Sequence, residues 1–353
     1  MAEKANVSIG TVDRVIHKRG EVSPATRDKI MQIIEELDYQ PNILASTLAS
    51  KKVYSLGVLI PEPQSEEAYW SKPLIGIRQA FDEIQQYGVE ITIYQFKQTD
   101  ASFFKDKATE LLDQQHDGVV LAPFFSRESK AFIKKLEERE IPFVFIDSNI
   151  NDCSSKISYI GQNSFQSGRL AAKLLDFSVP ADASVLVIHF AKEMDNQNHL
   201  VQREMGFYDY FKQKANPSKR NITTIEINDP TSDDYFAPIE AGIKKAGNVK
   251  GIFVTNSQVY KVAEYLEKHN IQNIRLIGHD LIPTNRNYLR KDIVDFLICQ
   301  RPEEQGHQSI ITLFQHLILK KTVALENYTS IDIVTKENLD FYQEFNTNNY
   351  GTN

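Results

Sequence analysis

Cysteine is almost missing: two residues, Cys153 and Cys299, lie far apart in 353 positions. That excludes a disulfide framework and gives no Cys-based metal site. Long apolar runs are missing too, since no stretch approaches the roughly 20 residues a membrane-spanning helix needs. The first residues are polar and helix-forming, so no signal peptide is read there and a cytoplasmic location is expected. Asn221-Ile222-Thr223 then carries no glycosylation meaning. Several catalytic signatures are absent. No Gly-x-Gly-x-x-Gly follows a strand, and there is no P-loop or His-Glu-x-x-His. No Gly-x-Ser-x-Gly elbow appears either. His189 and His279 fall at strand ends without a partner at metal-ligand spacing, and they read as structural or pocket-wall residues. No cofactor or metal is implied, and nothing points to an enzyme.

What is present divides unevenly along the chain. Its length calls for two or three domains. Net charge is −7, but residues 1–52 carry eight Lys/Arg against seven Asp/Glu, and the remainder carries 32 against 40. An acidic bulk repels DNA, so any DNA contact belongs to the front segment. That segment is only weakly basic, which argues for a dimer.

The front segment has the pattern of a helix-turn-helix. Asn6 tolerates the left-handed backbone of a tight turn. Ser8 is a good N-cap for a helix with apolar residues at Val12, Val15 and Ile16. Ser23-Pro24 opens another helix, with Ser as cap and Pro in the first turn. Its stripe is Ile30, Ile33, Ile34 and Leu37, and Pro41 stops what precedes it. The expected core is Ala5, Val12, Val15, Ile30, Ile33, Ile34, Leu37 and Tyr39. Such helix pairs occur both in DNA-reading heads and as plain structure. Asn42–Lys52 reads as a linker or as a short helix that forms only when docked.

From Tyr54 strand-length apolar runs alternate with helical stretches. The series is Ser55–Ile60, Pro73–Tyr87, Glu90–Phe96, Ala101–Gln115, Gly118–Ala122, Arg127–Glu140 and Pro142–Asp147. It resumes after Gly161, from Ser164–Phe177 to Arg275–Gly278. Repeated βα winding predicts parallel sheets with helices on both faces, and the number of strands calls for two similar lobes. Ligands collect at the carboxyl ends of strands in such sheets. The ends are Pro61–Gln64, Ala122–Ser126, Asp147–Asn149, His189–Lys192, Asn256–Ser257, Asp280 and Gln300.

Front and body together resemble the lactose-repressor (LacI) family of bacterial transcription regulators. The resemblance rests on Ala5–Val15, on Glu21-Val22-Ser23-Pro24-Ala25-Thr26-Arg27 and on Leu37-Asp38-Tyr39-Gln40-Pro41-Asn42. It extends over nearly the whole chain, the body being similar to ribose-type periplasmic sugar-binding proteins. It implies an all-α helix-turn-helix head (1–41), a hinge helix (42–52) and a two-lobed periplasmic-binding-protein-like α/β body with parallel sheets (53–353). The lobes are expected at about 53–160 with 290–325, and at 161–289 with 326–353. The resemblance also implies residues ahead of the position of Met1, so the first helix is expected to be truncated.

The implied function is a homodimeric repressor of a pseudo-palindromic operator, controlled by a sugar-like effector. The alternative is a stand-alone cytoplasmic sugar-binding protein. Ser8, Ile9, Gly10, Thr11 and Arg14 match the recognition helix. Ile9 suits a thymine methyl, Arg14 a base edge, and Ser8 and Thr11 phosphate. Asn42 and Leu48 match the hinge, with Leu48 as the minor-groove wedge. Tyr69-Trp70 before Gly76 matches paired aromatics, with Trp70 laid on a sugar ring. Asp147, Arg203, Asn256, Asp280 and Gln300 match the polar ligand-binding positions. Glu67, Gln162 and the acidic Pro61–Glu67 loop depart from the pattern. They disfavour a strongly anionic ligand unless Arg203 has basic helpers.

Overall fold

The computed structural model describes residues 1–16, 19–37, 52–191, 193–214, 220–228 and 234–343. The chain divides into two units, Met1–Lys52 and Val53–Asn353. Tyr39 and residues 42–51 of the expected hinge helix, Asn42 and Leu48 among them, lie outside the described residues.

The first unit contains α1 (Ala2–Ala5), α2 (Ile9–Ile16) and α3 (Pro24–Glu36). Asn6 takes the left-handed conformation (φ 55°, ψ 49°) and ends α1 with its backbone N–H on Ala2 and Glu3 carbonyls. This sharp reversal lets α2 start three residues later, at Ile9. The Ser8 hydroxyl accepts from the Thr11 N–H at 3.1 Å, and Ser23 does the same for Thr26 at 3.4 Å. Both satisfy backbone donors that a helix start leaves orphaned. Ala5, Val12, Val15, Ile30 and Ile33 form the core, with Ile34 only partly buried. Leu37 is exposed. It lies one residue past the end of α3, as its C-cap, and so leaves the buried stripe.

The second unit holds two six-stranded sheets. Its strands are β1 (Tyr54–Pro61), β2 (Val89–Phe96), β3 (Gly118–Leu121), β4 (Phe143–Ile146), β5 (Ser158–Gly161) and β6 (Ser184–Phe190). They continue as β7 (Ile222–Ile227), β8 (Val249–Val254), β9 (Arg275–His279), β10 (Phe296–Cys299), β11 (Glu326–Tyr328) and β12 (Asp332–Val334). One sheet runs β11-β5-β4-β3-β1-β2 and the other β12-β10-β9-β8-β6-β7. Every pairing is parallel except β10 with β12. The central strands are almost wholly apolar, as strands covered on both faces must be.

Helices α4 (Ser71–Ile84), α5 (Ala101–Leu112), α6 (Ser126–Glu138) and α12 (Pro302–Leu317) serve the first lobe. The second lobe has α7 (Ser164–Ser178), α8 (Asn198–Lys212), α9 (Phe236–Ala246), α10 (Val259–Lys268) and α11 (Pro283–Arg290).

The lobe limits differ from the sequence expectation. Phe296–Cys299 pairs with β9 in the second lobe, and Glu326–Tyr328 pairs with β5 in the first. The chain therefore crosses near residues 162, 300 and 330. Those crossings are laced together: the Gln162 amide donates to the Cys299 carbonyl at 3.0 Å and to the Ser330 carbonyl at 3.4 Å. Thr329 donates from its hydroxyl to the Gln300 carbonyl at 3.1 Å.

Each lobe has one very close helix crossing. A Cβ on Gly76 would meet the Glu303 carbonyl, and one on Gly306 the Pro73 carbonyl. In the second lobe Gly168 faces the Arg203 carbonyl and Gly206 the Phe165 carbonyl. Only glycine allows backbones to approach so closely, and this crossing fixes the height of α8 and with it Arg203.

Candidate functional site

Between the two lobes of the second unit lies a cavity of about 920 Å³. Trp70, Asp147, Arg203, Asn256, Asp280 and Gln300 all line it. They come from loops after different strands in both lobes, apart from Arg203, which projects from α8.

Asp147 and Asp280 follow β4 and β9 directly, at φ 67° and 68°. Asp tolerates this left-handed region better than most residues, yet the conformation still carries strain, which tends to concentrate at functional positions. Each N–H continues the ladder, Asp147 to the Ile160 carbonyl and Asp280 to the Ile298 carbonyl. The side chains are held differently. The Tyr69 hydroxyl donates to Asp147 Oδ1 at 2.6 Å. Gln300 Nε2 donates to Asp280 Oδ1 at 2.9 Å, while Gln300 Oε1 accepts from Arg203 Nη2 at 3.2 Å. Arg203 Nη1 donates to the Thr255 carbonyl at 2.6 Å. Its Nε has no partner among the described residues, although the side chain is 2% exposed. A buried donor left in this way costs about 1–3 kcal/mol.

Burial pushes the Asp147 carboxyl above the usual carboxylate range, opposed by the Tyr69 hydrogen bond and by Arg203. The Tyr69 hydroxyl rises well above its ordinary value, through burial first and then the Asp147 and Asp280 charges. The His199 imidazole is pushed down to about 3 by burial and by Arg203, and so stays neutral. His279 moves the same way for the same two causes. It bonds Ser167 at 2.9 Å, and His189 bonds Thr255 at 2.7 Å, so both act as internal braces.

Trp70 is 3% exposed and stands edge-on to Tyr69, ring centres 5.5 Å apart. Asn256 is partly committed already. It donates to the Phe190 carbonyl at 2.8 Å and accepts from the Gln258 N–H at 3.2 Å, shaping the turn after β8. Gln162 works at the crossings and does not line the cavity.

Other lining residues were not singled out from sequence. Phe124 and Phe190 add apolar wall at strand ends already marked as ligand-facing. His199 lines the cavity four residues before Arg203 on α8, a spacing that puts both on one helix face. Tyr235, Tyr260 and Lys261 come from the N-terminal turns of α9 and α10, which strand-end reasoning does not reach. Lys261 is a second cation in the wall, packed over the Tyr235 ring at 4.6 Å.

The lobes are also tied directly. The Asn198 amide donates to the Asn149 carbonyl at 2.6 Å, and Asn196 Oδ1 accepts from the Arg127 N–H at 2.9 Å. The residue preceding α6, Phe125, supplies no side-chain cap. Asn196 from the other lobe does so instead.

On the first unit, Ser8, Ile9, Gly10 and Arg14 are exposed along α2 and its start, and Thr11 is half-buried. Ile9 is 80% exposed.

Residues 1–42 match the family model described as bacterial regulatory proteins, lacI family, and residues 57–321 match that of the periplasmic binding protein domain. The chain is 31% identical over 292 residues to the ribose operon repressor of Halalkalibacterium halodurans, covering 80% of each. The chain belongs to the lacI family of bacterial regulatory proteins.

Its members are regulators, not enzymes. Catabolite control protein A of Staphylococcus xylosus is 33% identical over 153 residues, 43% of this chain and 44% of that protein. Against that relative, then, this lacI-family chain spans less than half the length. A solved structure described as a LacI transcriptional regulator from Bacteroides fragilis superposes with a TM-score of 0.76 at 32% identity. The superposition covers 83% of this chain and all of that one. No helix among the described residues is long and apolar enough to cross a membrane.

Proposed function

We propose that this lacI-family chain is a dimeric, cytoplasmic transcription repressor whose affinity for operator DNA is set by a neutral sugar-like molecule in the cavity between its lobes. The convergence of Asp147, Asp280, Arg203 and Gln300 beside Trp70 in one cavity carries this reading. Two carboxylates accept from vicinal hydroxyls, the guanidinium fork donates to neighbouring sugar oxygens, and the aromatic wall meets the C–H face of a ring. The similarity to a ribose operon repressor supports a saccharide over other polar ligands. Asn256 would contribute its remaining amide N–H.

On the DNA side, a head (1–41), a hinge helix (42–52) and a body (53–353) would work as one device. Ile9 and Arg14 would face bases, with Gly10 allowing close approach, while Ser8 and Thr11 hold phosphate. Asn42 and Leu48 would act in the hinge, Leu48 as a wedge between base steps. Two copies would read a pseudo-palindromic operator. Saccharide binding would move one lobe against the other about the three crossings and so alter hinge spacing. Coupling of about 1–3 kcal/mol is the usual scale for such a switch.

Thermal-shift screening of the full chain against mono- and disaccharides tests the cavity. A shift that vanishes in Arg203→Ala supports it, and a shift retained by that variant places the ligand elsewhere. Gel shift on genomic fragments at low salt tests the head. A chain that binds saccharide but retains no fragment is a stand-alone sugar-binding protein.

A further inference from the structure

The cavity is longer than one sugar ring, and its length can be read from the sheets. At one end stand Asp147 after β4 and Asp280 after β9, both next to the crossings. At the other end stand Gln98, just beyond β2, and Asn228, just beyond β7; all four line the same cavity. β2 and β7 are the edge strands of their sheets. From β4 to β2, and from β9 to β7, there are three strand steps in each lobe. At about 4.8 Å per step the lining covers about 14 Å. O1 and O4 of a pyranose are little more than one such step apart. The volume of about 920 Å³ is also near the top of the range of roughly 300–1,000 Å³ for small-molecule sites. Two direct hydrogen bonds, Asn198–Asn149 and Asn196–Arg127, already join the lobes beside it.

The edge-strand end has its own furnishing. Tyr235 is fixed twice: its hydroxyl donates to Glu264 and its ring carries the Lys261 ammonium at 4.6 Å. Tyr260 lines the same cavity from the first turn of α10, after β8, between the two ends, with its backbone N–H held by Asn285 Oδ1 at 3.2 Å. Aromatic rings and the amides of Gln98 and Asn228 in one cavity wall are what a second sugar ring needs, one face apolar and its rim hydrogen-bonding. The charges in the wall, Glu67, Asp147 and Asp280 against Arg203 and Lys261, do not favour an anion.

Resting on the saccharide reading above, we propose that the cleft contains two adjacent subsites and takes a neutral linear saccharide of at least two rings. The first ring occupies the Asp147–Asp280–Arg203 end and the second lies against Tyr235 and Tyr260.

Calorimetric titration of the full chain tests this with glucose, galactose, xylose and arabinose, their linked disaccharides, and glucose 6-phosphate. At least one disaccharide is expected to bind tenfold or more tightly than either of its component monosaccharides. Gln98→Ala, a loop change with no core contact to lose, and Tyr260→Ala should each collapse that ratio towards one. Monosaccharides that bind in an Arg203-dependent way, with no gain from any disaccharide, overturn the second subsite and leave the parent reading standing. Tightest binding by glucose 6-phosphate overturns it in favour of an anion held by Lys261. Absence of binding by every saccharide overturns the parent reading and this one together.

Discussion

Asp147 and Asp280 occupy the same place in their respective lobes, one residue beyond β4 and β9, with matching left-handed backbones. Their surroundings differ. Asp147 has a local partner, the Tyr69 hydroxyl from its own lobe. Asp280 is the end of a chain that runs from Arg203 through Gln300. One carboxylate can change without moving its neighbours, whereas the other cannot. The fold is doubled, and its hydrogen-bond wiring is not.

The largest effect is expected at the head of that chain. Arg203→Ala strips donors from the Thr255 carbonyl and from Gln300, and stability should fall by about 1–3 kcal/mol. Chemical denaturation would read that loss, and saccharide titration of the still-folded variant should show no thermal shift. Next comes the paired comparison itself. Asp280→Ala leaves Gln300 Nε2 without its acceptor and so loosens the amide whose oxygen holds Arg203. Its saccharide affinity should fall further than that of Asp147→Ala, which frees only the Tyr69 hydroxyl. Since a hydrogen bond to a charged group contributes about 1.5–3 kcal/mol, losses of tens-fold and about tenfold are expected by calorimetry. Equal losses would remove the asymmetry.

A smaller effect belongs to the ties between lobes. Asn196→Ala deletes the only side-chain cap seen at the start of α6 among the described residues, and such caps contribute about 0.5–2 kcal/mol. The nearby Arg127–Glu193 pair at 2.7 Å is half-exposed or more on both sides. Glu193→Gln should therefore change unfolding free energy by less than about 1 kcal/mol.

A separate effect concerns pH. His199 has a folded-state value of about 3, against about 6.5 in an unfolded chain. The unfolded chain thus takes up a proton in that window that the folded chain refuses. Stability from this ring is complete above pH 6.5 and is lost as pH falls towards 3. His279 adds to the same trend. The melting temperature should drop between pH 7 and 5, and drop less in His199→Gln. A steeper drop in the variant would mean that His199 is protonated in the native state.

The sequence made the polar ends of the cleft visible because strand ends are local features. An apolar run followed by Asp, Asn or Gln reads the same before and after folding. Arg203 needed the family pattern around Gly206, and the structure adds the physical reason, a helix crossing so close that Gly168 abuts the Arg203 carbonyl. Missing from sequence were features made by distant pairing. Asn196 caps a helix 69 positions upstream, which no periodicity announces. Glu326–Tyr328 is three mostly exposed residues whose membership of the first sheet comes only from backbone bonds to β5. That is why the lobe limits near 290 and 326 were misplaced. Leu37 looked like core because it extends the stripe of α3, but the helix stops one residue short of it.

The most direct measurement is fluorescence anisotropy on a genomic fragment selected by the full chain, titrated with the tightest-binding saccharide. The proposed mechanism requires the saccharide to change wild-type DNA affinity by about fivefold or more, the lower end of usual allosteric coupling, and to leave Arg203→Ala unchanged. An equal change in both proteins, or none in either, would contradict control of the DNA-binding head through this cleft.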